Sequence, residues 1–153
     1  MEHACSSALQ TADPAIRAGR IGTPVALRIF DRTASEPAGL ARQLACLLDQ
    51  AACWFAAEPS QVHALGNLAA GHATLGVRFA GGQAAVLTAG VALNMPTLEL
   101  LVLGNRGVLS WEPDYGAALL ASTKSNTAAP DPSTASLRAV EDALAAWSPL
   151  PAI

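Results

Sequence analysis

The stretch that decides the fold is GLARQLACLLDQAACWFAAEP, residues 39–59. Apolar side chains recur through it at steps of three and four residues, which is the period of one face of an α-helix. This stripe consists of Leu40, Leu44, Leu47, Leu48, Ala51, Trp54 and Phe55. The polar side chains that lie largely off the stripe are Arg42, Gln43, Asp49 and Gln50. The pattern predicts a long helix over about residues 37–57 whose apolar stripe packs on a second layer.

Upstream of this helix the sequence predicts one short helix and one strand. The short helix runs from Ala12 to Ala18, because Asp13-Pro14 can open a first turn and Gly19 can close a last one. The strand is PVALRIFDR, residues 24–32, which is rich in β-branched and aromatic side chains.

Downstream of the long helix the sequence alternates between strand-like runs and turn residues. Residues 61–67 and 72–80 predict two strands that a short loop joins. Gly81-Gly82 predicts the turn of a hairpin, because glycine supplies the positive φ that such turns need. Asn105-Arg106 predicts the turn of a second hairpin. At least five strands should therefore follow the long helix.

The order of these elements favours an α+β fold, namely a mostly antiparallel, open-faced sheet with helices on one face. Residues 122–135 are rich in Ser, Thr, Ala and Pro and predict a linker. Residues 134–147 predict a C-terminal helix with its own apolar stripe. We expect a single domain over residues 1–153, with its core in about residues 12–115.

The composition excludes several classes of protein. Hydrophobic residues make up 52% of the chain, and the formal net charge is −3. Without a basic patch and with few aromatic residues, a nucleic-acid partner is not expected. No apolar run approaches the ~20 residues of a membrane helix, and no signal peptide is evident, so we expect a cytoplasmic protein. Between Glu58 and Glu99 the only charged residue is Arg78, which predicts a segment buried on both sides.

Histidines and cysteines are the first candidates for chemistry. His63 and His72 flank the first loop between strands, but a zinc site usually needs at least three protein ligands, and no third stands beside them. Cys46 and Cys53 lie two helical turns apart, roughly 10 Å by the rise per residue, which is too far for a disulfide. We interpret both as at least partly buried helix residues. Cys5 lies in an N-terminus that we expect to be flexible.

Arg78 is the most informative charged residue. It lies on one face of a strand whose other face carries apolar side chains. It could bind an anionic ligand or pair across an interface, and the alternative is a single solvated arginine at a strand end. If Gly81-Gly82 forms a two-residue turn, Leu87, Ala89 and Val91 share the face of Arg78. That face would be too apolar to remain in water, which predicts a homodimer through the sheet faces.

Several motifs occur in an informative order. They are DPAIRAGRIGTPVALRIF (residues 13–30), LARQLACLLDQAACWFAAEPSQVHA (40–64), FAGGQAAVLTAG (79–90) and LVLGNRGVLSWEP (101–113). In this order they resemble the C-terminal domain of the Gfo/Idh/MocA oxidoreductases, the family of glucose–fructose oxidoreductase and inositol dehydrogenase. The resemblance covers about residues 13–115. It implies an open-faced sheet whose uncovered face commonly makes the oligomer interface.

The sequence also departs from that family. The family carries an N-terminal Rossmann domain for NAD or NADP, whereas this sequence has no G-x-G-x-x-G fingerprint with its acidic partner. With Trp54 as the anchor, the catalytic histidine of the family falls on Leu47, its first aspartate on Gln43 and its second on Gln50. Leucine cannot transfer a proton and glutamine does not titrate. Asp49 could act as a general base, but we interpret it as a solvated residue of the polar helix side.

Three classes of function remain open. The first, which we favour, is a non-catalytic, stand-alone binding or assembly module with no cofactor and no metal. The second is a subunit of a split NAD(P)-dependent dehydrogenase whose Rossmann domain is a separate chain. The third is a binder of small sugars or sugar acids, with Arg78 as an anion contact. We expect no enzymatic activity from the chain on its own.

Overall fold

The long helix forms where the apolar stripe predicts it. The residues that the computed structural model describes are 3–92, 95–112 and 131–147. A 3-10 turn over Pro37–Gly39 leads into the helix Leu40–Phe55, and all seven residues of the stripe are buried. The helix ends at Ala56, which adopts a left-handed conformation with φ of 49°. The periodicity of residues 39–59 therefore predicted both the helix and its packed side.

The described residues form three helices and six strands, numbered in chain order. The helices are α1 (His3–Arg17), α2 (Leu40–Phe55) and α3 (Thr134–Ala146). The strands are β1 (Pro24–Ala34), β2 (Pro59–Asn67), β3 (His72–Phe79), β4 (Ala84–Val91), β5 (Thr97–Gly104) and β6 (Val108–Trp111). Most of the predicted linker lies outside the described residues. None of the described helices is both long and apolar enough to cross a membrane.

The first helix is longer than the sequence predicted. It begins at His3 rather than at Ala12, so Pro14 lies inside the helix and does not open it. Proline is unfavourable in a helix interior, and burial of one side of α1 offsets that cost. The buried side consists of Leu9, Ala12 and Ile16. The helix closes as predicted at Gly19, whose φ is 70°.

The six strands form one mixed sheet in the order β2-β3-β4-β1-β5-β6. Four of its five strand pairs are antiparallel, as the predicted fold class requires. The pair β1–β4 is parallel, with Ile29 opposite Leu87. The chain passes through α2 and the β2–β3 hairpin before β4, and this long crossover lets β4 enter beside β1 in the same direction. The fold is α+β, with a mostly but not purely antiparallel sheet.

The two faces of the sheet differ in what covers them. On the covered face, α2 packs on β1, β3 and β4, while α1 packs on β1 and β5 and α3 packs on β2. The other face carries no helix among the described residues, and we call it the open face. Its residues, strand by strand, are Ala26, Arg28, Phe30, Arg32, Gln61, His63, Leu65, Asn67, His72, Thr74, Gly76, Arg78, Ala84, Val86, Thr88, Gly90, Thr97, Glu99, Leu101, Leu103, Val108 and Ser110.

The turn between β3 and β4 contains three residues, not two. The N–H of Phe79 bonds to the carbonyl of Gln83 at 2.9 Å, so the loop consists of Ala80, Gly81 and Gly82. Gly82 supplies the expected positive φ, at 86°. The glycines are therefore in the turn as predicted, but the extra loop residue shifts the register of the hairpin by one.

The shifted register corrects the prediction that Leu87, Ala89 and Val91 share the face of Arg78. A two-residue turn would place Ala85 opposite Arg78, whereas the sheet places Ala84 there. Because side chains alternate along a strand, a shift of one residue moves every side chain of β4 to the other face. Leu87 and Ala89 are therefore 0% exposed in the core, and Val91 packs partly against it. Arg78 lies on the opposite, open face.

Candidate functional site

Helix α2 carries no titratable group at the position where the resemblance places a catalytic histidine. Leu47 occupies that position and is 0% exposed within the hydrophobic core. Gln43, one turn earlier, donates from Nε2 to Thr33 Oγ1 at 3.1 Å. Leu47 and Gln43 therefore contribute to the packing of α2 and to its contact with β1, and neither side chain titrates.

Thr33, which accepts the hydrogen bond from Gln43, also donates one to the buried carboxyl group of Asp31, which the sequence did not indicate as a candidate. Asp31 is 0% exposed and accepts a hydrogen bond from Thr33 Oγ1 at 2.7 Å. Its second oxygen and the side-chain oxygen of Gln43 have no hydrogen-bond partner in the described part of the chain. The strand alternation that buries Ile29 also buries Asp31, and this alternation was the available signal.

Asp49 is a structural residue rather than a solvated one. Its carboxylate accepts from the backbone N–H of Ser133 at 2.6 Å and from the hydroxyl of Ser133 at 2.8 Å. It also accepts from the hydroxyl of Ser136 at 2.6 Å. Ser133 is the N-cap of α3 and accepts from the N–H of Ser136. Asp49 thus fastens the start of α3 to α2, and its lone pairs are engaged in that contact.

The two cysteines of α2 lie in different environments. Both are free thiols, as predicted from their spacing. Cys46 is half-buried, and this burial raises the pKa of its thiol. Cys53 is exposed, which corrects the expectation that both are partly buried, and Arg17 Nη2 lies 3.5 Å from its sulfur. Arg17 also bonds to Asp13, and this contact lowers the pKa of the Asp13 carboxyl.

His63 and His72 occupy different positions along the β2–β3 ladder. His63 and His72 lie on β2 and at the start of β3, where they face Gly76 and Asn67 in the sheet ladder. No group of three or more His, Cys, Asp or Glu side chains that could hold a metal occurs among the described residues. Residue 5 lies within α1, and its side chain is outside the described part of the chain.

The open face combines exposed apolar side chains with an excess of positive charge. Four of the six large apolar side chains that are exposed in the described chain lie on it. They are Leu65 (63%), Val86 (47%), Leu103 (38%) and Val108 (60%). The segment between Glu58 and Glu99 was predicted to be buried on both sides, but the chain by itself buries only one. The second side is thus the principal surface available to a partner.

Two depressions on the open face each contain an arginine. The first has a volume of about 480 Å³ and is lined by Arg78 together with Ser60, Gln61 and residues of the β3–β4 turn. Arg78 is exposed there, at the end of β3. The second, of about 320 Å³, lies at the other end of the strands and is lined by Arg32, Phe30, His72 and Thr88, with Ala70, Gly71, Gly90 and Val91.

Sequence reasoning found Arg78 and missed Arg32. The signal for Arg32 was present, because Arg28, Phe30 and Arg32 alternate along β1 and therefore share a face. Arg32 is half-buried, and its Nη2 lies 3.5 Å from the carbonyl oxygen of Val91. The cavity around it forms where β1, β3 and β4 meet, so only knowledge of the strand order could bring its residues together.

The described fold is similar to part of several solved Gfo/Idh/MocA dehydrogenases, in agreement with the resemblance of the motifs. No known family model and no curated protein matches the sequence itself.

Three solved structures illustrate the likeness. Apo scyllo-inositol dehydrogenase from Lactobacillus casei aligns over 91% of this chain and 48% of its own, with TM-score 0.58 and 16% identity. UDP-N-acetylglucosamine 3-dehydrogenase GnnA from Acidithiobacillus ferrooxidans aligns over 88% and 56%, with TM-score 0.57 and 18% identity. A probable dehydrogenase from Thermotoga maritima aligns over 68% and 38%, with TM-score 0.54 and 19% identity. The chain thus spans between about two fifths and just over half of these proteins, and the likeness is one of fold.

Proposed function

We propose that this chain is a non-catalytic association domain of oxidoreductase-like fold that pairs with a second copy through the open face. The observation that carries the proposal is the contrast between the two sheet faces. Three helices cover one face, while exposed apolar side chains from four strands lie on the other. Covering a sheet face of this kind with a second layer is favourable, because it removes apolar side chains from water.

The dimensions of the open face suit a stable homodimer. Six strands at ~4.8 Å spacing are about 24 Å across, and strands of eight residues are about 26 Å long. The projected area is therefore roughly 600 Å², and the accessible area of a surface with side chains is larger. Stable interfaces bury ~800 Å² per partner. One copy of the face is large enough to supply that area.

The residues of α2 support a role without proton transfer. A dehydrogenase that moves a hydride also needs a group to take or give a proton at the reacting oxygen. At the position that the resemblance assigns to this group the chain has Leu47, and one turn earlier it has Gln43. Both side chains contribute to packing beneath the helix instead.

The test is the absolute mass of the protein by light scattering on a sizing column, over a range of concentrations. We expect twice the chain mass of 15.6 kDa. Val86→Arg and Leu103→Arg place a charge in the centre and on the β5 side of the open face, and both should give the monomer mass. Ala145→Arg, on the exposed side of α3, is the matched control and should remain a dimer.

Thermal unfolding of each variant distinguishes loss of association from loss of folding. A wild-type monomer at all concentrations would contradict the proposal. So would a dimer that survives both open-face substitutions, because its interface would then lie elsewhere. A wild-type monomer that forms a complex with a separate nucleotide-binding chain would favour a split dehydrogenase instead.

A further inference from the structure

The open face carries a positive charge that self-association must accommodate. It contains Arg28, Arg32 and Arg78 but only one acidic side chain, Glu99, in a chain whose net charge is −3. Arg28 Nη2 lies 4.0 Å from Glu99 Oε2, which leaves Arg32 and Arg78 without a carboxylate oxygen within 4.0 Å among the described residues. Two such faces brought together repel each other unless counter-charge is present.

Arg32 is held in place by the sheet around it. An added Cβ at Gly90 would lie 3.2 Å from Arg32 Cγ, so the methylene groups of Arg32 lie directly over the backbone of that glycine. The guanidinium then reaches only a long contact of 3.5 Å to the carbonyl of Val91. Most of its five N–H donors therefore remain available for a ligand.

The surroundings of Arg32 match an oxyanion. His72 adds an imidazole, and Thr88 adds a hydroxyl that lies 2.9 Å from the hydroxyl of Thr74. Phe30 forms an apolar wall of the same cavity. A planar guanidinium fork recognises carboxylate and phosphate groups through paired hydrogen bonds. The volume of about 320 Å³ lies at the lower end of the range for small-molecule sites.

We propose that the Arg32 cavity binds a small oxyanion. Arg32 makes the main contact with this anion, and His72 and Thr88 make further contacts. The oxyanion is either a carboxylate on a small organic acid or a phosphate group, since both present the same arrangement of acceptor oxygens. Because the cavity is part of the open face, a bound anion reduces the net positive charge there and strengthens pairing of two copies. This coupling rests on the proposed function, whereas the site itself does not.

The experiment measures thermal unfolding with increasing sodium phosphate, sodium benzoate or sodium chloride at matched ionic strength. We expect the melting temperature to rise with phosphate, with benzoate or with both, relative to chloride, because a ligand that binds only the folded state stabilises it. A rise with benzoate alone identifies an organic acid, and a rise with phosphate alone identifies a phosphate group. No rise with either anion would overturn the proposal.

Three variants test whether the effect belongs to this cavity. In Arg32→Gln the dissociation constant of the effective anion should increase at least about tenfold, which is the loss of one charge-assisted hydrogen bond. Arg78→Gln removes the same charge from the other depression and should bind as wild type does. Gly90→Ala keeps all charges but displaces the Arg32 side chain, and it should also weaken binding. Equal binding by wild type and Arg32→Gln would overturn the proposal.

Light scattering on the same samples separates this inference from the proposed function. A dimer in chloride whose melting temperature does not rise with either anion supports the association domain and overturns the oxyanion site. A monomer whose melting temperature rises with anion in wild type, but not in Arg32→Gln, supports the site and contradicts association. A dimer that persists to lower protein concentration in the effective anion supports both.

Discussion

The covered and open faces of the sheet come from the same strands but differ in the polarity and exposure of their side chains. On the covered face, most large side chains of the central strands are apolar and almost wholly removed from water, with Ile29, Leu75 and Leu87 at 0% exposure and Asp31 as the buried polar exception. On the open face, apolar side chains alternate with arginine, threonine and histidine, and few are fully buried. The comparison indicates that the covered face provides most of the buried apolar contacts of the fold, whereas the open face leaves its apolar side chains exposed.

The strongest test of this comparison uses two adjacent residues of β4. Leu87 lies on the covered face at 0% exposure, and Val86 lies on the open face at 47%. Leu87→Ala should lower the free energy of unfolding by about 3 kcal/mol, because it leaves a cavity in the core. Val86→Ala should change it by less than about 0.5 kcal/mol. Urea unfolding at concentrations where both variants have the monomer mass measures the difference.

A larger loss for Val86→Ala than for Leu87→Ala would contradict the register of the β3–β4 hairpin. A two-residue turn would exchange the faces of Leu87 and Val86, so the larger loss would then belong to Val86→Ala. The pair therefore tests the three-residue turn as well as the difference between the faces.

A second pair compares one threonine from each face. Thr33 on the covered face donates the only hydrogen bond that the buried carboxylate of Asp31 receives in the described part of the chain. Thr33→Val should cost about 2 kcal/mol, because the buried side chain of Asp31 then loses its hydrogen-bond donor. Thr88→Val on the open face should cost less than about 1 kcal/mol, because Thr74 stays accessible to water. Chemical denaturation of both variants provides the measurement, and equal losses would contradict the buried status of Asp31.

The third test removes part of the cover itself. Asp49→Ala deletes the acceptor for Ser133 and Ser136 and so releases the start of α3 from α2. We expect a loss of about 1–2 kcal/mol and faster proteolysis at the C-terminal end, with α1, α2 and the sheet intact. Asp49→Asn keeps one acceptor oxygen and should fall between Ala and wild type. Unchanged proteolysis in Asp49→Ala would show that apolar packing alone holds α3 in place.

The elements that depend on local pattern could be predicted from the sequence. The stripe from Leu40 to Phe55 predicted α2 because the period of an amphipathic helix depends only on residues within the helix, at steps of three and four. The turns at Gly82 and at Asn105-Arg106 were also local signals. The resemblance of the motifs added the arrangement of the sheet, and solved dehydrogenases have the same fold.

The features that were missed depend on contacts between residues far apart in sequence or on the exact length of one loop. The faces of Arg78 and Leu87 followed from whether Ala80 belongs to the strand or to the loop, and alternation alone cannot decide this. Asp49 was interpreted as solvated because its partners lie more than eighty residues away, at Ser133 and Ser136. The Arg32 cavity needed the parallel pairing of β1 with β4, which no local motif encodes.

The position of β1 has a further consequence for how the chain reaches its native state. Both hydrogen-bonding edges of β1 are occupied by strands made much later, since Ile29 pairs with Leu87 on one side and Leu100 on the other. Contacts between residues so far apart in sequence slow folding, because a long loop must close first. During synthesis β1 therefore cannot pair with its neighbouring strands until β4 and β5 have left the ribosome. The β2–β3–β4 meander, by contrast, pairs strands that are neighbours in sequence, so we expect it to form before the pairs of β1 at the centre of the sheet.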